Sequence, residues 1–217
     1  MPRSRLQTNS QIPEPWHTTY EERRDAIRRR LQDFSEIPAT QYFYELAFCI
    51  LTPQSSAANA DATIAELIRD HFFERGFDPT PYLRDAKHYI RFHNVKAKRL
   101  LAIRDSFHEL LPTLIDGALP AEAKRDVVLS MVKGLGMKEA SHFLRNIGVR
   151  GLAILDRHIY RHLARLKVIP SIPTNAPTKK NYLEIEKKWK RYADRVGISM
   201  DELDLLFWSM ETGEIRK

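Results

Sequence analysis

The sequence predicts an all-α protein. Apolar residues recur at helical spacing in successive segments, and helix-capping residues open several of these segments. No segment alternates apolar and polar residues over the length that a strand needs. With 217 residues, 43% of them hydrophobic, the chain is long enough to bury one large core or two smaller ones.

The first half of the chain predicts an extended arm followed by a series of helices. Residues 1–17 are polar and contain three prolines, which favours an arm. The segment Thr18–Glu21 matches a capping box, which opens a helix ending near Phe34. Four more helices are expected at about 40–51, at 57–74, shortly after Pro81, and at 95–110.

The second half predicts a helical hairpin and three further helices. Two apolar runs flank the segment Lys133–Gly136, whose two glycines predict a tight turn between two short helices within 121–147. The next helix begins at Asp156, and three prolines mark a linker over 169–177. The last two helices are expected at 178–195 and from Ser199 onward.

The composition favours a polyanionic partner and excludes several kinds of site. Lysine and arginine exceed aspartate and glutamate by 35 to 28, a net charge of +7. The single cysteine, Cys49, excludes an internal disulfide, a four-cysteine zinc site and a four-cysteine iron–sulfur cluster, and its apolar surroundings predict a buried, inert thiol. No membrane span or secretory signal is recognisable, so we expect an intracellular protein of the cytoplasm or nucleoid.

The predicted hairpin has the features of a phosphate-binding site. Gly134, Leu135 and Gly136 expose consecutive backbone N–H groups beside the start of a helix, where the helix dipole attracts an anion. Lys133 directly precedes these glycines and is placed to meet a phosphate group. The hairpin therefore predicts contact with a nucleic-acid backbone.

A lysine and an aspartate near the hairpin are candidates for catalysis. Lys138 opens the helix after the hairpin, where the positive end of the helix dipole favours the neutral amine that can attack a sugar carbon. Asp156 opens the following helix, where the same dipole favours an ionised carboxylate. Such an anion can stabilise positive charge on a sugar as a base departs, and can carry protons afterwards.

These residues resemble the helix–hairpin–helix glycosylase superfamily. The resemblance rests on Gly134–Asn146 and Leu152–Ile159, with Ile50–Gln54, Arg91-Phe92 and the final lysine as further points of similarity. It covers nearly the whole chain and is most specific for the type-2, or archaeal-type, 8-oxoguanine DNA glycosylase/lyases. The hairpin motif then occupies about 124–147.

The resemblance implies a domain organisation and an activity. After the arm at 1–17, one unit of two lobes is expected, comprising 18–35 with 136–217 and, separately, 36–135, with duplex DNA in the cleft between them. The implied enzyme is a monomer that flips 8-oxoguanine out of the duplex and cleaves the glycosidic bond through a Schiff base on Lys138. It then nicks the strand by β-elimination. No cofactor is implied beyond a K⁺ or Na⁺ on hairpin carbonyls near Leu135.

The resemblance also assigns residues to DNA and base recognition. Gln54 and Arg91 are expected to contact DNA, and Phe92 to fill the gap left by the flipped base, although an ordinary core position fits Phe92 equally well on sequence alone. Trp208 offers a flat surface for the base. The terminal carboxylate of Lys217 offers an acceptor for its N–H groups.

Two alternative functions remain open on the sequence. The same machinery could act on another oxidised or alkylated base, or the chain could be a non-catalytic hairpin module that grips DNA. The second alternative needs the glycines but neither Lys138 nor Asp156. A zinc site on His158 and His162 is disfavoured, because they lack the glutamate of a His-Glu-x-x-His motif and any evident third ligand.

Overall fold

A computed structural model describes residues 11–216 of the chain, and this part is built of helices. It contains eleven α-helices and one short 3₁₀ helix at Ala39–Gln41, and no strand is formed within the described range. The predicted all-α fold class is therefore confirmed. Among these described helices, none combines the length and the apolar character that crossing a membrane requires.

The chain divides into two compact units, and the hairpin belongs entirely to one of them. One unit comprises the chain up to Ser35 together with the chain from Gly148 onward, and the other is Glu36–Ile147. The predicted division at 135/136 was therefore wrong, because the second hairpin helix packs within the Glu36–Ile147 unit. Asn146 Nδ2, near the end of that helix, donates a hydrogen bond to Glu45 Oε2 of the same unit at 3.1 Å.

The described part of the unit that begins and ends the chain contains four helices around an aromatic core. Ile27 and Phe34 from the first helix are fully buried, as are Trp189 and Phe207 from the last two. The helices are α1 (Trp16–Ser35), α9 (Arg157–Arg165), α10 (Lys179–Val196) and α11 (Met200–Thr212). The last three confirm the predicted helices, with Asp156, Thr178 and Ser199 as side-chain caps of their first turns.

The first helix begins earlier than the sequence predicted. It starts at Trp16, because the carbonyl groups of Pro13 and Pro15 accept the N–H groups of His17 and Thr19. The predicted capping box at Thr18 is wrong, since the Thr18 N–H is instead accepted by the Glu14 side chain at 3.3 Å. Ile12 is buried, so the arm predicted for 1–17 does not extend over 11–17, and residues 1–10 lie outside the described range.

The Glu36–Ile147 unit contains seven α-helices and the short 3₁₀ helix. Its core includes an aromatic cluster of Phe43, Phe73 and Phe107, whose ring centroids lie 4.7–5.8 Å apart. Cys49 is fully buried, as predicted. The helices are α2 (Tyr42–Leu51), α3 (Ala57–Arg69), α4 (Phe72–Arg75), α5 (Thr80–Leu83), α6 (His93–Ile115), α7 (Ala121–Met131) and α8 (Met137–Asn146).

The helix predicted over 57–74 is broken into α3 and α4. His71 adopts a left-handed conformation at φ 57°, and the Asp70 side chain accepts a 2.6 Å hydrogen bond from the Tyr82 hydroxyl. The break turns Phe72 into the core, where it is fully buried. Apolar periodicity does not reveal this break, because it continues across both helices.

Gly148 lies against the backbone at the end of α1. It has φ +87°, and a Cβ there would lie 2.8 Å from Ser35 Cα and 3.3 Å from the Phe34 carbonyl oxygen. Gly151 has a similar φ of +82° but open space around it. Both glycines therefore adopt a positive φ, but only Gly148 is approached closely by neighbouring backbone atoms.

We therefore expect Gly148→Ala to destabilise the protein more than Gly151→Ala does. Strain at φ should cost about 1 kcal/mol in each variant, and forcing backbone apart should add about 1–3 kcal/mol at Gly148 alone. Urea unfolding of both variants measures this difference. Equal losses of stability would show that the backbone around Ser35 yields readily.

Candidate functional site

The helical hairpin is held together by a buried arginine. Arg125 of α7 is 1% exposed and donates a hydrogen bond to Ser141 Oγ of α8 at 3.1 Å. Between the two helices, Gly134 adopts φ +88°, a conformation that glycine reaches without strain. The predicted hairpin is therefore present, with the Lys133, Gly134 and Gly136 residues exposed to solvent.

A groove lined with cations runs beside the hairpin. Its volume is about 540 Å³, and Lys98 and Arg99 of α6 line it together with Lys133. Arg99 lies so close to the turn that a Cβ on Gly134 would be 2.1 Å from its guanidinium carbon. Sequence reasoning identified Lys133 but missed Lys98 and Arg99, because a short run of charges on a helix usually marks a solvated face.

Lys138 occupies the position that the sequence predicted. It is the second residue of α8, and its side chain is about one-third exposed. Its Nζ lies 3.6 Å from Glu139 Oε1, while Glu139 Oε2 accepts the Gly136 N–H at 3.2 Å. One carboxylate thus holds the turn closed and pairs with the amine, which remains accessible.

Asp156 caps α9 through a single oxygen. Its Oδ1 accepts the N–H groups of His158 and Ile159, both at 2.8 Å. Among the described residues, none donates a hydrogen bond to Oδ2. The helix cap therefore fixes the carboxylate and leaves one oxygen able to face another group. Burial, and to a smaller extent the charge of Asp156, raises the pKa of Tyr160 to about 12.

A buried histidine connects α1, α9 and α11. His162 is 1% exposed, and its Nδ1 accepts the Trp16 indole N–H at 2.7 Å. Because an indole nitrogen can only donate, His162 carries its proton on Nε2, which lies 3.3 Å from Glu211 Oε1. Burial lowers the pKa of His162, which keeps the ring neutral near pH 7.

Glu211, near the end of α11, contacts several basic side chains. Its Oε2 lies 3.3 Å from His158 Nδ1 and accepts a 3.1 Å hydrogen bond from Arg161. Burial alone would raise the pKa of Glu211, but these hydrogen bonds and the nearby His162 outweigh it and lower the pKa below its usual value. His158 and His162 therefore both turn towards a carboxylate on the neighbouring helix.

Trp208 lies beside this cluster. It is partly exposed, and its ring meets the His158 ring edge-on, at 5.2 Å between centroids and 88° between planes. The neighbouring Phe207 is fully buried instead and stacks on His162. Trp208 is thus the aromatic residue of this pair with an accessible surface. Lys217 lies outside the described residues.

The predicted DNA-contacting loops are exposed. Gln54 is exposed between α2 and α3, and Arg91 and Phe92 are exposed immediately before α6. Phe92 is 49% exposed, so it is not a core residue, and the Arg91 guanidinium lies 5.2 Å from its ring centroid. Both Gln54 and Phe92 adopt left-handed backbone conformations, at φ 59° and 60°.

The predicted site residues are thus divided between the two units. Lys138, the hairpin and the loops of Gln54, Arg91 and Phe92 belong to Glu36–Ile147. Asp156 and Trp208 belong to the other unit, where α9 and α11 pack together.

The fold and these residues define a helix–hairpin–helix DNA glycosylase. A family model for 8-oxoguanine DNA glycosylase matches residues 27–198. The chain is 41% identical over 207 residues to an 8-oxoguanine DNA glycosylase/AP lyase of Fusobacterium nucleatum, covering 91% of this chain and 94% of the relative. It is 32% identical over 198 residues to the enzyme of the same name from Methanocaldococcus jannaschii, covering 89% and 93%. The chain belongs to the 8-oxoguanine DNA glycosylase family.

Solved structures agree with this assignment. The crystal structure of the Methanocaldococcus jannaschii 8-oxoguanine DNA glycosylase matches with a TM-score of 0.80 and 29% identity, covering 93% of this chain and 95% of that one. A structure of the glycosylase/lyase from the same organism, in complex with a 15mer DNA containing 8-oxoguanine, matches with a TM-score of 0.78 and 30% identity, covering 92% and 98%. The predicted fold is confirmed by both.

Gly134 provides a test of the hairpin's role in DNA binding. Gly134→Ala should weaken duplex binding by about tenfold, or about 1.4 kcal/mol, because alanine strains the turn and displaces Arg99 from it. Fluorescence anisotropy with a labelled duplex measures the affinity. Gly117→Ala is the control, since Gly117 lies in the same unit with open space around it. Equal affinities of the two variants would show that the turn does not contribute to DNA binding.

Proposed function

We propose that the chain excises 8-oxoguanine from duplex DNA through a Schiff base on Lys138 and then nicks the strand at the resulting abasic site. The chain is a DNA glycosylase with AP lyase activity, in line with the names of its relatives. The observation that carries the assignment of the nucleophile is an accessible amine at the second residue of α8, directly after the hairpin. A non-catalytic hairpin module has no need of that amine.

The proposed chemistry needs an amine and a carboxylate. The neutral Lys138 amine attacks the C1′ carbon of the damaged nucleotide, and the glycosidic bond breaks with its electron pair leaving on the base. Loss of a proton from the attached nitrogen and opening of the sugar ring give the Schiff base. Removal of a C2′ proton then expels the 3′ phosphate by β-elimination. The departing base takes up a proton, while Schiff-base formation and β-elimination each remove one, so a nearby group that can accept and return protons is required.

Asp156 is proposed to supply the carboxylate. Its Oδ1 is occupied by the cap of α9, and Oδ2 is the oxygen that would face the sugar. A fixed anion there stabilises the positive charge that develops on the sugar as the base departs. Because the cap holds the carboxylate in place before DNA binds, little reorganisation is needed during the reaction.

Recognition of the damaged base is proposed to involve Trp208 and the chain end. Trp208 offers the partly exposed ring on which a flipped purine could stack. 8-Oxoguanine carries a proton on N7 that guanine lacks, and the Lys217 carboxylate is proposed as an acceptor for one of the N–H groups of the base. Gln54, Arg91 and Phe92 would act on the duplex left behind, where the gap must be filled.

The hairpin is proposed to bind a K⁺ or Na⁺ beside a DNA phosphate. In the described part of the chain, the carbonyl groups of Lys133, Gly134 and Leu135 accept no backbone hydrogen bond, and carbonyl oxygens are ligands that suit these cations. Such an ion would attach the hairpin to a phosphate. We further propose that the protein acts as a monomer, inside the cell, where its DNA substrate lies.

Borohydride trapping tests the proposed nucleophile. The native protein should form a covalent adduct with a duplex containing 8-oxoguanine, and Lys138→Gln should form none, because the amine is gone. Affinity for the duplex should stay within a few-fold, since many phosphate contacts contribute to binding. Lys133→Gln is the matched control and should still be trapped. Trapping that survives in Lys138→Gln but is lost in Lys133→Gln would identify Lys133 as the nucleophile.

Asp156→Asn tests the proposed carboxylate. Asparagine also caps helices, so the melting temperature should change little, while excision should slow by about 10²–10³-fold through loss of the negative charge. Single-turnover excision, measured beside thermal unfolding, separates these effects. Near-native excision by a folded variant would remove Asp156 from the mechanism.

A panel of duplexes with other oxidised or alkylated bases, read by the same assay, defines the range of lesions.

A further inference from the structure

Two exposed side chains of the Glu36–Ile147 unit, those of Gln54 and Phe92, lie on turns with a strained backbone. Gln54 and Phe92 are two of only four non-glycine residues with positive φ in the described part of the chain. A left-handed conformation costs a residue with a side chain on the order of 1 kcal/mol or more, so surrounding contacts must enforce it. The contacts that do so at these two turns converge on one buried residue.

That residue is Lys96, in the first turn of α6. It is 3% exposed, and its Nζ donates to the carbonyl oxygens of Leu51 and Pro53, both at 2.7 Å, and to Ser55 Oγ at 3.3 Å. An ammonium group has three donors, and all three are used. Two of these acceptors, Pro53 and Ser55, are the chain neighbours of Gln54.

The same lysine is tied to the turn of Phe92. The Lys96 N–H donates to the Phe92 carbonyl at 3.0 Å, and the Arg91 N–H donates to Ser55 Oγ at 3.0 Å. Ser55 Oγ therefore accepts from both sides and connects the two loops directly. A third connection runs from Asn59 Nδ2 to the Tyr89 carbonyl at 3.1 Å.

Burying the Lys96 ammonium group between two loops costs free energy. Burial, reinforced by the charge of Arg99, lowers the pKa of Lys96 to about 8, which reflects the cost of holding the ammonium away from water. An apolar side chain of similar length would avoid that cost but would leave the carbonyl groups of Leu51 and Pro53 without this donor. What the ammonium provides is a set of three hydrogen bonds that fixes the chain on both sides of Gln54.

We infer that Lys96 is a positioning residue that presents Gln54 and Phe92 to the duplex as one rigid pair. This inference rests on the proposed function, in which both side chains act at the gap left by the flipped base. When the two turns are held at a fixed separation, both side chains can enter the duplex together without first being ordered. Without the ammonium, each turn could relax on its own.

The test compares Lys96→Met with Arg104→Met. Arg104 lies in the same helix, is largely buried, and donates to the carbonyl groups of Phe73 and Glu74 at 2.7 and 3.1 Å, away from both turns and from the hairpin. Single-turnover excision of 8-oxoguanine is measured in duplex and in single-stranded DNA, and nicking is measured at a preformed abasic site. A fluorescent base opposite the lesion reports the unstacking that accompanies entry of the two side chains.

Lys96→Met should reduce duplex excision by on the order of tenfold and the fluorescence change in parallel, while single-strand excision stays within about twofold because no gap must be filled. Arg104→Met should leave the ratio of duplex to single-strand excision unchanged. Equal losses on both substrates, or no loss in Lys96→Met, would overturn the inference. A native protein without excision activity would instead overturn the proposed function.

Ser55→Ala keeps the test decisive if Lys96→Met does not fold. This variant removes the shared acceptor of Lys96 and Arg91 but leaves the two carbonyl contacts of Lys96 in place. It should lower the ratio of duplex to single-strand excision in the same direction, by a smaller factor. An unchanged ratio in a folded Ser55→Ala would also count against the connection between the loops.

Discussion

Cations on the carboxyl ends of helices tie together the helices of the Glu36–Ile147 unit. The last carbonyl groups of a helix lack partners within it and carry partial negative charge, so a cation from another element satisfies both needs. Examples are Lys96 with Leu51, Lys124 with Leu114, and Arg104 with Phe73. Each of these bonds joins the end of one helix to a side chain of another helix.

This use of cations changes what the net charge of the chain means. An excess of seven positive charges favours a polyanionic partner, yet several lysines and arginines point inward and are not available to it. Three cations, Lys98, Arg99 and Lys133, line the groove beside the hairpin. We therefore expect affinity for DNA to depend more on where such charges lie than on the overall composition.

Local signals in the sequence predicted the helices and most of their ends, because capping residues and glycines act over a few positions. Ser199 with Glu202 and Asp156 with its following N–H groups are examples, and both caps are formed. The break at His71 could not be predicted, since a left-handed histidine depends on contacts that come from elsewhere in the fold. Lys96 was missed for the same reason: nothing in its sequence neighbourhood shows that its side chain turns inward.

The residues proposed for catalysis and base recognition belong to two different units. Asp156 and Trp208 are carried by α9 and α11, which are joined by the contacts of Glu211 with His158 and His162, so the placements of the carboxylate and of the partly exposed ring depend on the same packing. The proposed nucleophile, Lys138, is placed by the hairpin in the other unit and does not depend on that packing. Loosening the α9–α11 contact should therefore disturb the proposed roles of Trp208 in base recognition and of Asp156 in charge stabilisation together. Reaction at an abasic site needs no base recognition, so it should be affected less than excision of an intact damaged nucleotide.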